Sequence, residues 1–305
     1  MHLRWFGRDT RFRVGLLLRY NSDMHDNLPL AAVDYVVVGH LSLDLTIQGL
    51  HLGGTAAYAA LTARSLGLRV GVVTSTAGNI PLKALSGCET VILPSPESTV
   101  FENIYTPTER IQHLLGRAAD ISLQAIPQAW RRASILHLGP IAAEVDPCLP
   151  DDITPGLIGL TLQGWLRRWD DHGRVRVRAW EYGEQPLRQA GAVILSLEDV
   201  AGDEDQIEYL ASICPILAVT EGAAGARLYW NGDLRRFSAP AVTELDATGA
   251  GDIFAAAFFV RLQATHDPWE AARFATRLAS ISVTRLGLAG VPTPEEVQSS
   301  LVEVF

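Results

Sequence analysis

The chain has 305 residues, 48% hydrophobic and 19% charged, enough for one large α/β domain or two ordinary ones. Its 34 acidic side chains against 25 basic ones leave a net charge of −9, which opposes a phosphate-backbone partner and excludes nucleic acid as the main ligand. Cys88, Cys148 and Cys214 stand far apart with no C-x-x-C pair, arguing against a disulfide frame or a zinc site and for a reducing cytoplasm.

Residues 1–32 read as an N-terminal extension. Within the first 30 residues five arginines (Arg4, Arg8, Arg11, Arg13, Arg19) face three acids, and the scarcity of serine fits an organelle leader poorly. A flexible extension, or a start assigned upstream of Met24, accounts for it. The apolar run at residues 14–18 is closed by Arg13 and Arg19 and falls far short of the ~20 residues of a membrane helix, so no membrane partner is expected.

From Val33 onward β-branched runs alternate with helical stretches. Residues 35–39, 70–74, 135–138, 157–162, 192–195 and 216–220 are apolar throughout, as strands covered on both faces are. Residues 55–66 predict an Ala-rich helix stopped at Gly67, and residues 204–213 repeat apolar side chains at helical spacing. Residues 226–230 and 234–237 flank Asn231-Gly232-Asp233 and predict a hairpin. Residues 268–285 predict an amphipathic helix with Trp269, Ala272, Ala275 and Leu278 on one side. With no linker, repeat or low-complexity tract, residues 33–305 read as one α/β domain with a mostly parallel central sheet and helices on both faces.

The most informative segment is Asp246-Ala-Thr248-Gly249-Ala250-Gly251-Asp252, which runs directly into a helix apolar on nearly every face. Gly249 and Gly251 let the backbone turn with its N–H groups converging, and the helix N-terminus adds partial positive charge. Together these make an anion hole suited to phosphate, with Asp252 beside it to accept a proton from an attacking hydroxyl. A cap at Asp246 and Thr248 followed by a turn would account for each part singly; the whole string before a buried helix is far more specific.

That string resembles the signature of the ribokinase, or PfkB, family of carbohydrate kinases, Asp-x-Thr-Gly-Ala-Gly-Asp. Gly39-x-x-x-x-Asp44, Gly53-Gly54 opening the Ala-rich helix, and Thr220-x-Gly222-x-x-Gly225 fall in the family's order. The resemblance implies a three-layer ribokinase-like fold and an ATP-dependent phosphotransferase acting on a small-molecule sugar or polyol. Asp252 would then be the catalytic base, and the amides around Gly249, Ala250 and Gly251 would hold the transferred group. Asp44, Gly53 and Gly54 would bind substrate; Thr220, Gly222 and Gly225, with Gly249 and Gly251, would lie on the nucleotide side. Mg²⁺ would accompany ATP, and since the family's Asn-x-x-Glu appears here as Ser196-Leu-Glu198-Asp199, either Glu198 or Asp199 would take the metal-water role. Asp246 and Thr248, with the backbone near residues 285–290, correspond to where family members hold a monovalent cation such as K⁺. The helix at residues 268–285 and its following loop would border the adenine.

Only eight residues separate Asp44 from Gly53, too few for lid strands, so a reduced lid is expected, with residues 99–105 its candidate strand. Asn103, Arg110 and Gln163 are candidate substrate contacts, set against ordinary surface or core roles. Tyr58 stands where ribokinases carry Asn. The short lid, the segment Thr161-Leu-Gln163-Gly-Trp-Leu-Arg167 and the 195–199 segment resemble the inositol kinase branch, which points to a cyclic polyol. The only lysine is Lys83, so no Gly-x-x-x-x-Gly-Lys loop exists and phosphate charge must be met by backbone, arginine or metal. Two alternatives stay open: a nucleoside or pyrimidine kinase of the same fold, and a non-catalytic sugar- or nucleotide-binding regulator.

Overall fold

Along the first strand Tyr35 and Val37 enter one apolar cluster while Val36 and Val38 enter another, so a strand apolar at every position is one with structure packed on both faces. The same alternation recurs at residues 192–195 and 216–219. The computed structural model describes residues 30–46, 49–105 and 110–301, so the reading of residues 1–29 lies outside the described residues.

The strands are β1 (Tyr35–Val38), β2 (Ser42–Thr46), β3 (Gly49–Gly53), β4 (Val70–Thr76), β5 (Glu89–Pro94), β6 (Thr99–Tyr105), β7 (Arg110–Gly116) and β8 (Ile135–Leu138). They continue with β9 (Leu157–Thr161), β10 (Arg167–Trp169), β11 (Val175–Val177), β12 (Ala192–Ser196), β13 (Ile216–Thr220), β14 (Ala226–Trp230) and β15 (Asp233–Phe237). The helices are α1 (Thr55–Ser65), α2 (Gln185–Gln189), α3 (Glu204–Ile213), α4 (Ala250–Thr265), α5 (Pro268–Ser282) and α6 (Pro294–Leu301). Nine strands form the central sheet in the order β15-β14-β13-β12-β9-β8-β1-β4-β5, parallel from β5 to β13 and closed by the antiparallel β14–β15 hairpin. Helices α1, α4 and α5 cover one face, and α2, α3 and short 3₁₀ turns cover the other. This is the three-layer α/β architecture expected.

Helices α1 and α4 meet through small residues: Ala56, Ala57, Ala59 and Ala60 on one side, Ala255 and Ala256 on the other, all fully buried. Such close packing fixes where α4 begins, because extra methylenes there would cost about 1–3 kcal/mol in displaced backbone. The helix expected at residues 268–285 ends at Ser282, where Val283 turns and its carbonyl accepts the N–H groups of Leu245 and Asp246.

A second sheet of four strands, β3-β2-β6-β7, stands over one end of the first. It corrects the expectation that the eight residues after Asp44 are too few for lid strands, because β2 and β3 pair there as a tight antiparallel hairpin. The lid is small because its arms are short, not because they are missing. Residues 99–105 form β6, as expected, paired in parallel with β2. The two-stranded β10–β11 sheet leans on β7 through the His113–Arg174 bridge. Among the described residues no helix is long and apolar enough to cross a membrane.

Candidate active site

Helix α4 starts where it does because Gly249 caps it at a left-handed φ of 80°. A Cβ there would run into the Tyr58 ring, buried on α1, so both the backbone angle and the space demand glycine. Nothing lies within 4 Å of where a Gly251 Cβ would be, so this first turn faces open space with its helix-end N–H groups. The open space is a cavity of about 1290 Å³ at the carboxyl ends of the parallel strands, where sheets of this kind place ligands.

Asp252 lines that cavity. The Thr55 hydroxyl, on the first residue of α1, donates to its Oδ1 at 2.6 Å. Burial pushes the Asp252 carboxyl up to about 6; the Thr55 hydrogen bond and the charge of Arg167 oppose the rise, and Asp199 and Asp44 add to it. Desolvation therefore outweighs the helix-end charge that favours the ionised form. A carboxyl poised just below neutral pH is suited to accept a proton.

Asp44 projects from β2, where the Ser42 hydroxyl donates to it at 3.1 Å. Gly53 on β3, paired with Ser42, leaves room for that carboxylate: a Cβ at Gly53 would strike Asp44 itself. At Gly54 a Cβ would sit 2.8 Å from the His40 carbonyl oxygen, so this glycine lets α1 start against the β1–β2 connection. Asn103 on β6 lines the cavity and accepts from Gln112 on β7 at 2.9 Å. Arg110 opens β7, and its side chain lies outside the described residues.

The Ser196–Asp199 segment is a capping box. Ser196 Oγ accepts from the Glu198 N–H at 3.2 Å, and the Asp199 carboxylate accepts from the Ser196 N–H at 2.8 Å. Asp199 is thereby turned inward; burial raises its pKa, against the charge of Arg167 and hydrogen bonds from Ser196 and Gln163. Glu198 is exposed and lines the cavity. The S-x-x-D spacing signals such a box, so this fold-back was readable in the sequence.

Thr220 ends β13 and Gly222 follows it, and both line the cavity beside Thr276 and Val283. Gly225 closes that turn, its carbonyl accepting from Glu221 N at 2.7 Å. Asp246 accepts from Thr248 N at 2.9 Å and from Gly287 N at 2.8 Å, so its carboxylate ties the glycine-rich turn to the loop after α5. The structure thus brings Asp44, Asn103, Gln163, Glu198, Thr220 and Asp252 around one cavity. Sequence reasoning missed Thr55 and Arg167. Thr55 directly follows the glycine pair at a helix start, a position that signals a role. Arg167, whose guanidinium lies 5.8 Å over the Phe101 ring and donates to the Ile141 carbonyl at 3.4 Å, carries no such signal.

Residues 192–295 match the model of the pfkB family carbohydrate kinases. That span is a pfkB family carbohydrate kinase domain. This kinase is 28% identical over 227 residues to the fructokinase of Escherichia coli, spanning 66% of this chain and 73% of that one. It is 41% identical over 97 residues to the ribokinase of Bacillus subtilis, 31% and 32% of the two chains. A pyrophosphate-dependent kinase in the ribokinase family, solved with a pyrophosphate analog and myo-inositol, superposes with a TM-score of 0.73 at 21% identity, covering 87% of this kinase and 99% of that chain. Arabidopsis thaliana ribokinase with ribose and ATP gives 0.65 at 19% identity, covering 89% and 99%. This kinase is a sugar kinase with the ribokinase fold.

Proposed function

We propose that residues 33–305 act as one domain that transfers the γ-phosphoryl group of ATP to a hydroxyl of a small sugar or cyclic polyol, with Asp252 as general base. The observation that carries this reading is Asp252 at the start of α4, hydrogen-bonded by Thr55, raised to about 6 and facing the cavity it shares with Asp44. Asp252 accepts the proton as the acceptor oxygen attacks phosphorus, and the N–H groups from Gly249 to Gly251 stabilise the transferring group. Asp44, an acceptor-only side chain, takes hydrogen bonds from substrate hydroxyls, with Asn103 and Gln163 beside it.

ATP is favoured over a bare pyrophosphate donor because the cavity continues past Thr220 and Gly222 to Ala241, Ala279 and Val283, giving apolar walls for a base. Among the described residues no group of three or more acidic, histidine or cysteine side chains forms a metal cage. One exposed carboxylate, Glu198, fits Mg²⁺ bound chiefly through waters and phosphates. Bound there, Mg²⁺ supplies charge neutralisation to the donor phosphates. Asp246, Thr248 and the loop at residues 285–290 are the proposed surroundings of a monovalent cation. The three cysteines are free thiols, which suits a reducing cytoplasm.

The test is release of ADP from ATP, or of inorganic phosphate from pyrophosphate, across fructose, ribose, inositols and nucleosides as acceptors. Turnover on sugars or polyols with ATP is expected. Turnover on nucleosides alone, or with pyrophosphate alone, overturns the acceptor or donor assignment, and nucleotide binding with no turnover favours a binding protein.

A further inference from the structure

A second cavity of about 390 Å³ opens outside the cleft, between β15 with the segment after it and helix α5. Arg236, Arg273 and Arg277 line it, in a chain whose net charge is −9. Two of these cations are partly neutralised: Arg236 lies 3.1 Å from Glu221, and Arg273 lies 3.0 Å from Glu270. Arg277 has no carboxylate at ion-pair distance among the described residues, so the cluster holds excess positive charge. Thr276, 5% exposed, also lines the cavity, and its buried hydroxyl meets no hydrogen-bond partner among the described residues. Leaving a buried hydroxyl unsatisfied is unfavourable, and an acceptor oxygen from a ligand relieves it. Ser238 adds a second hydroxyl.

We propose that this cavity is a binding site for the phosphate group of a small molecule, separate from the phosphotransfer cleft. Guanidinium forks match phosphate oxygens two at a time, and a hydroxyl donor completes the set. Thr276 and Pro240 belong to both cavities, so occupancy of the outer one bears on the wall of the inner one. The site is then a place where phosphate level adjusts donor affinity, reciprocally, since two ligands that share a wall are linked.

The experiment is calorimetric titration of inorganic phosphate, and separately of glucose 6-phosphate, into the full chain saturated with Mg²⁺ and a non-hydrolysable ATP analogue, whose γ-phosphoryl group fills the cleft's own anion hole; ADP affinity is titrated separately with and without phosphate. The comparison variants are Arg277→Gln and Arg273→Gln, checked for an unchanged melting temperature. Saturable binding of one phosphate per chain is expected, weakened at least tenfold in either variant, and phosphate should change ADP affinity in the parent and not in Arg277→Gln. A sugar phosphate binding more tightly than inorganic phosphate would make a phosphorylated metabolite the ligand, and equal binding would make it free phosphate. Phosphate that competes one for one with ADP, or that binds Arg277→Gln as well as the parent, overturns the site. If neither nucleotide binds, the same titrations run on the free chain, so failure of the kinase reading stays distinct from failure of this one.

Discussion

Replacing Asp252 with Asn should disable the protein and stabilise it at once. The carboxyl rises from 3.8 in the unfolded chain to about 6 in the fold, chiefly because burial strips it of water. Below about pH 3.8 both states hold the proton and the residue contributes nothing. Between 3.8 and 6 the folded state keeps a proton that the unfolded state has lost, so stability falls as pH rises. Above 6 the full penalty applies, about 3 kcal/mol at 1.36 kcal/mol per unit. Asn carries no charge and still accepts the Thr55 hydrogen bond through its own Oδ1. The Asp252→Asn gain in unfolding free energy should therefore be greatest near about pH 8 and smaller by about 2 kcal/mol near about pH 4.5. Urea unfolding of both proteins at the two pH values measures that difference directly, and any pH-independent effect of the new amide cancels. A gain that does not change with pH, or a loss that deepens toward pH 8, would refute the desolvation argument.

Thr55→Val removes the hydrogen bond that favours the ionised form of Asp252, so the acid limb of kcat/KM should move to higher pH with the plateau rate largely kept; an unmoved limb contradicts the role given to Thr55. Gly53→Ala drives a Cβ into the Asp44 carboxylate and should raise the KM of the acceptor more than tenfold while the KM of ATP stays within about twofold, as initial-rate kinetics would show. Glu198→Gln should increase the Mg²⁺ concentration needed for half-maximal rate by roughly tenfold, since it removes the exposed carboxylate but leaves the Ser196–Asp199 box; an unchanged Mg²⁺ dependence excludes Glu198.

The central sheet was legible because each of its buried strands is apolar on both faces, and α4 because its apolar surface leaves no solvent side. Asp252 and the glycines before it were legible because two glycines and a carboxylate at the mouth of a wholly apolar helix add little to a core and suit the binding of an anion. The β2–β3 hairpin was not, since counting eight residues does not reveal that two five-residue arms pair across them. Nor was Arg167: its value depends on β10 carrying it beside Phe101 and within electrostatic reach of Asp199 and Asp252, a long-range placement that no local pattern encodes. The inward turn of Asp199 lay in plain view as S-x-x-D, a spacing that the likeness to Asn-x-x-Glu overshadows.

The most direct measurement is the pH dependence of kcat/KM for the best acceptor, with Asp252→Asn assayed beside the parent under saturating Mg-ATP. Asp252 as the base requires activity that rises through an apparent pKa near 6 and a variant that binds ADP normally while turning over roughly 10²-fold or more slowly. A variant that keeps the parent's rate, or a parent profile with no ionisation near 6, would contradict that role.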